Sequence, residues 1–414
     1  MMINPTEAIE IILDSTIQKE PEEVSLIEAT NRYSSEVIST KLDLPLWNNS
    51  SMDGFAFKLN ENFDVYNESI NKFQVVGELF PGDEYIPSIK EGQAIKIMTG
   101  APIPKGANCV VPIEKAKIIK VDELNFVVFT TTPKLSDYIR IKGSDFVKGE
   151  TLIEKGQKIR PYEIAKLAAN GIDKVKVFPK PVISILASGN ELILPGEKLK
   201  INSIYDSNSF AIASMIKEAG GIPKIIGIAK DEISSIESNL RNAIDSDAII
   251  CSAGVSVGDK DFIKKVVSDQ GKISFWSVNM QPGKPFLYAH VQGRGKIIPF
   301  FGLPGNPVSV MVLMIKFVIP SIKKMQGYTN PFPIRIKAKL NHQIENNSKR
   351  NMFARVKVEN VNGELIANPF SKHDSHIISS FSESNGLANI PENCKILKAG
   401  ADVEVEIFDD SHIL

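Results

Sequence analysis

The stretch AIICSAGVSVGDKDF, residues 248–262, passes from one kind of secondary structure to another through a run of small residues. Ala248 to Cys251 is an apolar β-type run; Ser252, Gly254, Ser256 and Gly258 break it, and Asp259 and Asp261 open a helical pattern. The order is strand, glycine-rich turn, helix N-terminus. Glycine lets a ligand approach the backbone, a helix start offers unpaired N–H groups to an anion, and carboxylates hold a cation or a polar ring. The stretch therefore reads as a site as well as a turn.

The same alternation extends outward on both sides. Before it come a strand, VISILASG (182–189), a helical stretch, DSNSFAIASMIKEAGG (206–221), a strand, KIIGIAK (224–230), and a helix, DEISSIESNLRNAID (231–245). After it come the rest of its own helix to Gln270, the strand-like ISFWSVNM (273–280), a QPGKPF turn (281–286), the strand-like IIPFFGLPG (297–305) and a helix over 306–325. Such alternation predicts a three-layer α/β domain over 178–327, with a mainly parallel sheet covered by helices on both faces. The apolar run Val308 to Ile319 is about a dozen residues, short of the roughly 20 a bilayer requires, and is expected as a core helix.

The flanks differ in character. Residues 29–145 carry short β-type runs, FQVVGEL, AIKIMTG and FVVFTT, separated by Pro, Gly and Asp, and predict a β-rich insertion. Residues 1–28 and 146–177 look helical or mixed, and are expected to pack together as a linker domain that carries the insertion outward. From 328 to 414 the period returns to two in IRIKAKL, FARVKVEN, ELIANPF and ADVEVEIF, predicting a small, barrel-like β domain. A chain of 414 residues has material for several cores.

Charge and cysteine usage narrow the class. With 48 basic against 49 acidic residues there is no global field for nucleic acid or an anionic membrane, so neither is expected as a partner. Cys109, Cys251 and Cys394 are widely spaced and match no disulfide or zinc framework, which suits a cytoplasmic protein. MMINPTEAIEIILDS has no basic or long apolar signal region and is expected as an amphipathic helix with Ile9, Ile12 and Leu13 on one face.

In open parallel sheets ligands bind beyond the carboxyl ends of the strands, which names four loops: ASGNEL (187–192), IYDSNS (204–209), SAGVSVGDKD and GLPGNPVS (302–309). Glu191 follows a Ser-Gly turn; Asp206, Ser207 or Asn208 would cap the next helix, a role worth about 1 kcal/mol in any protein. Two glycine-rich turns opening helices in one domain exceed what connection geometry demands. Neither GxGxxG nor GxxxxGK[ST] is present, which argues against a dinucleotide or P-loop site. In the insertion, NSSMDGFAF (49–57), IMTGAPIP (97–104) and GSDF (143–146) gather Ser50, Ser51, Asp53, Thr99 and Asp145 in polar turns, although Asp53-Gly54 also fits a plain hairpin and APIP an edge breaker.

NSSMDGFA, IMTGAPIPKGANCVV, ASGNEL, YDSNS, SAGVSVGDKDF, PGKPF and GLPGNPVS, in this order, resemble the molybdopterin molybdenumtransferase (MoeA) family, whose eukaryotic counterpart is the C-terminal part of gephyrin. The resemblance implies a four-domain homodimer that inserts molybdate into adenylylated molybdopterin with Mg²⁺, releasing AMP and yielding molybdenum cofactor. It places the cleft between the α/β domain of one subunit and the inserted domain of the other. It also implies molybdopterin adenylyltransferase and molybdoenzyme maturation partners.

Carried onto this chain, the resemblance gives catalytic roles to Asp53, Thr99, Glu191 and Asp261, and Mg²⁺ ligation to Glu191, Asp206 and Asp261. Ligand contacts would come from Asp206, Ser207, Asn208, Ser252, Gly254, Ser256, Gly258, Lys284, Pro304, Gly305, Pro307 and Arg350. Molybdate is an oxyanion, so Lys284 and Arg350 suit it, while carboxylates repel it unless a metal bridges them. Three positions depart from the family pattern: Gln281 stands where a lysine is common, Asn190 where an aspartate is usual, and HDSHIISSF (373–381) replaces a glycine-serine-glycine turn. A tungstate-using paralogue, a non-catalytic molybdopterin-binding scaffold and a nucleotide-handling adenylyltransferase are the alternatives.

Overall fold

In the computed structural model, which describes residues 2–67, 69–253, 262–370 and 376–410, the alternating region builds one seven-stranded sheet. Its order is Met2–Ile3, Gly271–Val278, Pro285–Gln292, Ile297–Leu303, Ala248–Ser252, Val182–Ser188, Ile222–Ala229. Pro285–Gln292 is antiparallel to both of its neighbours, and the remaining pairings are parallel. That reversed strand, PFLYAHVQ, is absent from the sequence expectation. Phe286 to Ala289 are all buried, so the run lacks the period-two alternation of a half-exposed strand and shows only the turn that precedes it.

Both faces of the sheet are covered. Ile183, Ile185 and Ile250 join one core, while their chain neighbours Leu186, Ile249 and Cys251 join the other, as a period of two requires. The first core also takes Ile3, Ala8 and Ile12, so the helix Pro5–Ser15 lies on the sheet that Met2–Ile3 extends. The sequence expectation grouped this helix with 146–177. Its apolar stripe finds cover on the α/β core, and by contacts the chain divides into one compact unit of Met1–Glu36, Lys155–Arg160 and Val175–Leu414 and another of Val37–Glu154 with Pro161–Lys174.

The last long helix runs as Pro307–Leu313, a wider π turn over Met314–Val318, then Ile319–Met325. Ile319 N–H bonds to Met314 O, five residues back, and the next residue, Pro320, has no N–H to give. Lys316 sits in the wide turn. Its Nζ lies 2.6 Å from both carboxylate oxygens of Glu406, which is buried and also 3.1 Å from Arg335. Burial pushes the Lys316 ammonium below its usual range against the pull of Glu406.

Glu406 belongs to a closed five-stranded barrel of Ile334–Leu340, Asn351–Val361, Glu364–Pro369, Gly386–Ile390 and Asp402–Ile407. A second fastening is the parallel pairing of Met280 with Asn351 and Gln281 with Met352. No helix among the described residues is long and apolar enough to cross a membrane.

The other unit is built on a six-stranded sheet, in the order Cys109–Pro112, Gly54–Phe57, Gln93–Ile97, Phe73–Leu79, Leu124–Phe129, Ala116–Val121. Phe57, Phe73 and Phe129 cluster on one face with ring centroids 4.6 to 5.5 Å apart, and Ile95, Ile97 and Val110 fill the other. Gly54 is required: a Cβ there would lie 2.1 Å from Val111 O.

Lys316→Ala leaves Glu406 buried with its main partner gone and is expected to cost about 3–5 kcal/mol in denaturant unfolding, whereas Lys316→Met with Glu406→Leu should recover most of it. A single variant as stable as the parent would show that Arg335 alone compensates Glu406.

Candidate functional site

Three of the four named loops meet at one side chain. Asn208 opens the helix Asn208–Glu218 and is buried; its Nδ2 donates to Ser252 Oγ at 3.0 Å and to Gly305 O at 2.9 Å. Ser252 ends the strand Ala248–Ser252, and Gly305 follows the strand Ile297–Leu303. Ala253 has φ of 71°, and its N–H bonds to Leu303 O at 3.0 Å, which joins the same two loops through the backbone. Pro304 is buried, Gly305 exposed, and Pro307 starts its helix. Gly254, Ser256, Gly258, Asp259 and Asp261 lie outside the described residues.

The carboxylates at this edge have different jobs. Asp206 is 3% exposed and its Oδ1 accepts the Ser209 N–H at 3.0 Å, so it performs the capping role; Ser207 beside it is exposed and makes no side-chain cap. Glu191 is exposed, and a Cβ on Gly189 would come within 2.9 Å of both its carboxylate oxygens. Sequence reasoning missed Asp231. Its Oδ1 accepts from Ser188 Oγ at 2.9 Å and its N–H donates to Asn190 Oδ1 at 3.3 Å, which ties the ASGNEL loop to the next strand's end. Its only signal was position, at the carboxyl end of the strand Ile222–Ala229.

A basic edge lies along the same unit. In QPGKPF, Gly283 has φ of 99°, Lys284 is exposed, and Lys284 O accepts the Val278 N–H at 3.0 Å. Asn351 Nδ2 donates to Asn279 O at 3.2 Å, next to the Met280–Asn351 pairing, so Arg350 is delivered beside the turn that carries Lys284. Neither Lys284 nor Arg350 forms an ion pair among the described residues. Gln281 occupies the strand pairing itself, where its backbone is used whatever its side chain.

In the other unit Asp53 Oδ1 accepts both the Thr99 N–H and the Thr99 hydroxyl at 2.7 Å. These donors, the backbone one first, hold the exposed Asp53 carboxyl below its usual range. Ser50 N–H bonds to Ala101 O and Gly100 N–H to Ser50 O, so the NSSMDG and MTGAP turns are one structure. Asp145 is exposed and anchored through its N–H to Leu44 O at 2.9 Å. No group of three or more His, Cys, Asp or Glu side chains with metal-ligand geometry occurs among the described residues.

The chain matches, in order, families described as the MoeA N-terminal region (domains I and II) over 3–171, a probable molybdopterin binding domain over 184–324, and the MoeA C-terminal region (domain IV) over 337–408. Fold and site thus define a multidomain protein built around a molybdopterin-binding type of α/β domain. It is 33% identical to a molybdopterin molybdenumtransferase of Nostoc sp. over 95% of this chain and 89% of that one, and 31% identical to that of Haemophilus influenzae over 95% of each. Two structures of the molybdopterin biosynthesis MoeA protein from Pyrococcus horikoshii superpose with TM-scores of 0.83 and 0.79, at 29% and 30% identity, over 99% of this chain and 100% of theirs. The chain belongs to the molybdopterin molybdenumtransferase (MoeA) family. That membership makes it a transferase of molybdenum cofactor biosynthesis.

Asn208→Ala is expected to cost about 1–3 kcal/mol in unfolding experiments, because the buried Ser252 hydroxyl and the Gly305 carbonyl both lose their donor. Thr99→Val removes one of the two donors to Asp53 and keeps the other. Its Asp53 carboxyl should titrate upward, toward the usual carboxylate range, in a ¹³C NMR pH series; an unmoved midpoint would show that the hydroxyl contributes nothing. Because the fold lowers this pKa, the contact is kept at neutral pH and is lost as pH falls through the lowered value.

Proposed function

We propose that this chain inserts molybdate into adenylylated molybdopterin, cleaving the phosphoanhydride, releasing AMP and leaving molybdenum cofactor. The observation that carries the proposal is Asn208, which holds the Ser252 and Gly305 loops together at the carboxyl edge of the sheet. Backbone N–H groups of loops that open helices there receive the phosphates. Lys284 and Arg350 hold the oxyanion, and Asn208, Asp206 and Asp231 keep the loops in register.

Magnesium ion fits this donor set in a limited way. Mg²⁺ takes one or two carboxylates with substrate phosphate oxygens and water, so the lack of a three-ligand cluster among the described residues is no obstacle. Among the described residues Glu191, exposed, is the available ligand, while Asp206 already spends Oδ1 on its helix; Asp261, outside the described residues, is the other carboxylate proposed for the ion. When bound, Mg²⁺ supplies neutralisation of phosphate charge.

The protein acts as a cytoplasmic homodimer, with Asp53 and Thr99 of the partner subunit completing the cleft. Its modules are 1–28 with 146–177, 29–145, 178–327 and 328–414, and an adenylyltransferase supplies its substrate. Gln281 favours a second reading, a molybdopterin-binding scaffold that binds the pterin without inserting metal.

Purified protein incubated with adenylylated molybdopterin, molybdate and Mg²⁺ should release AMP, and tungstate run in parallel gives the oxyanion preference. Pterin binding by calorimetry with no AMP release would establish the scaffold instead. Asp53→Ala and Glu191→Gln should each lower turnover about 10²-fold or more. Mixed and allowed to exchange subunits, they should recover about a quarter of parental activity, since half the dimers are mixed and each regains one of two sites. No recovery in a sample shown to exchange would sink the shared cleft and leave the transferase assignment standing.

A further inference from the structure

The N-terminal edge of the large sheet, opposite the loops described above, carries a cavity of about 650 Å³, within the range of small-molecule sites. It lies among the residues that precede Ala248–Ser252, begin Gly271–Val278, end Pro285–Gln292 and begin Ile297–Leu303. Nothing in the transferase chemistry uses this end.

Charge at the cavity is unbalanced. Lys19, Lys272 and Lys296 line it against one carboxylate, Asp247, among the described residues. Both oxygens of Asp247 are engaged: Oδ2 takes Lys19 Nζ at 2.8 Å and the Val182 N–H at 2.7 Å, and Oδ1 takes Lys296 Nζ at 3.2 Å. Lys272 has no carboxylate partner among the described residues. The cavity therefore carries more cation than it neutralises.

One wall is fixed in advance. Ser15 Oγ donates to Ile11 O at 2.8 Å or Ile12 O at 3.0 Å, so it accepts from the buried Tyr288 hydroxyl at 2.6 Å. Tyr288 in turn accepts from His290 Nε2–H at 3.4 Å, which leaves Nδ1 as the acceptor of a neutral ring. Burial, then the neighbouring Lys272, lower the affinity of His290 for a second proton. At the mouth, two aliphatic side chains, Ile17 at 76% and Ile297 at 63%, stand exposed.

We infer that this cavity binds an amphipathic organic anion, with its acidic group on Lys272 and the Lys19–Asp247–Lys296 cluster and its apolar body over Ile17 and Ile297. The excess cation selects the charge, and the exposed aliphatics select the body. The neutral His290 accepts a hydrogen bond from the ligand and adds no charge. None of the cavity's lining residues belongs to the loops at the carboxyl edge, so a ligand here does not compete for the cofactor cleft.

The test uses the full chain and 1-anilinonaphthalene-8-sulfonate, an aromatic body with one anionic group, followed by fluorescence. One saturable site per chain is expected. N-phenyl-1-naphthylamine, the same body without the sulfonate, should bind about tenfold more weakly. Lys272→Glu should weaken the sulfonate about fivefold or more, the scale of a partly exposed ion pair, while leaving the neutral probe and AMP release unchanged. Saturating AMP should not displace the probe. Equal binding of the two probes, no effect of Lys272→Glu, or displacement by AMP would each overturn the inference. So would affinity that falls as protein concentration rises, which would mean that a second copy of the chain covers this face.

Discussion

The carboxyl edge of the sheet depends on one amide. A parallel sheet delivers its strand ends to the same side, but it does not fix the loops that follow them, because each loop leaves toward a different helix. Asn208 supplies that restraint: one buried nitrogen bonds to a strand-end hydroxyl and to a loop carbonyl from two other segments. Donating two hydrogens to two acceptors is a task for a primary amide; aspartate at this position would face both acceptors without a proton to give. The left-handed Ala253, with φ of 71°, is held in place by the same junction.

The barrel is positioned by a different kind of interaction. Lys316, in the π turn, reaches Glu406 in the barrel, and Met280–Gln281 pairs with Asn351–Met352. The first contact is a desolvated ion pair, costly to form and costly to break singly, so it fixes where the barrel docks more than it adds stability. The second presents Arg350 beside the Lys284 turn. Two segments about seventy residues apart, one carrying Lys284 and the other Arg350, are thus brought together by docking.

Much of this was legible in the chain. The alternation over 182–325 predicted a mainly parallel sheet because short apolar runs bounded by turn residues take turns with stretches of helical period. It failed at Pro285–Gln292, which runs antiparallel between two strands with no helix before or after it, a reversal that strand–helix alternation does not signal. The loops at Asp206, Ser252 and Gly305 were found by their glycine and capping chemistry, but that one residue, Asn208, joins them is a fact of tertiary structure. Asp231 was missed for the same reason. Its partners, Ser188 and Asn190, are about forty residues away, and a helix-starting aspartate is unremarkable by itself.

The carboxylates can be ranked by what the fold has already asked of them. Asp206 is buried and committed to a helix start, so a cation taking Oδ1 would leave the Ser209 N–H without its acceptor. Asp231 is spent on Ser188. Glu191 is exposed and Asp53 is held anionic by Thr99, with its second oxygen bonded to no protein group among the described residues. Uncommitted carboxylates suit a bridging cation and repel a bare oxyanion, which is why the proposed function assigns molybdate to Lys284 and Arg350. At the sheet edge the fold thus separates a committed pair, Asp206 and Asp231, which shapes the loops, from Glu191, whose exposed carboxylate the loops leave to solvent.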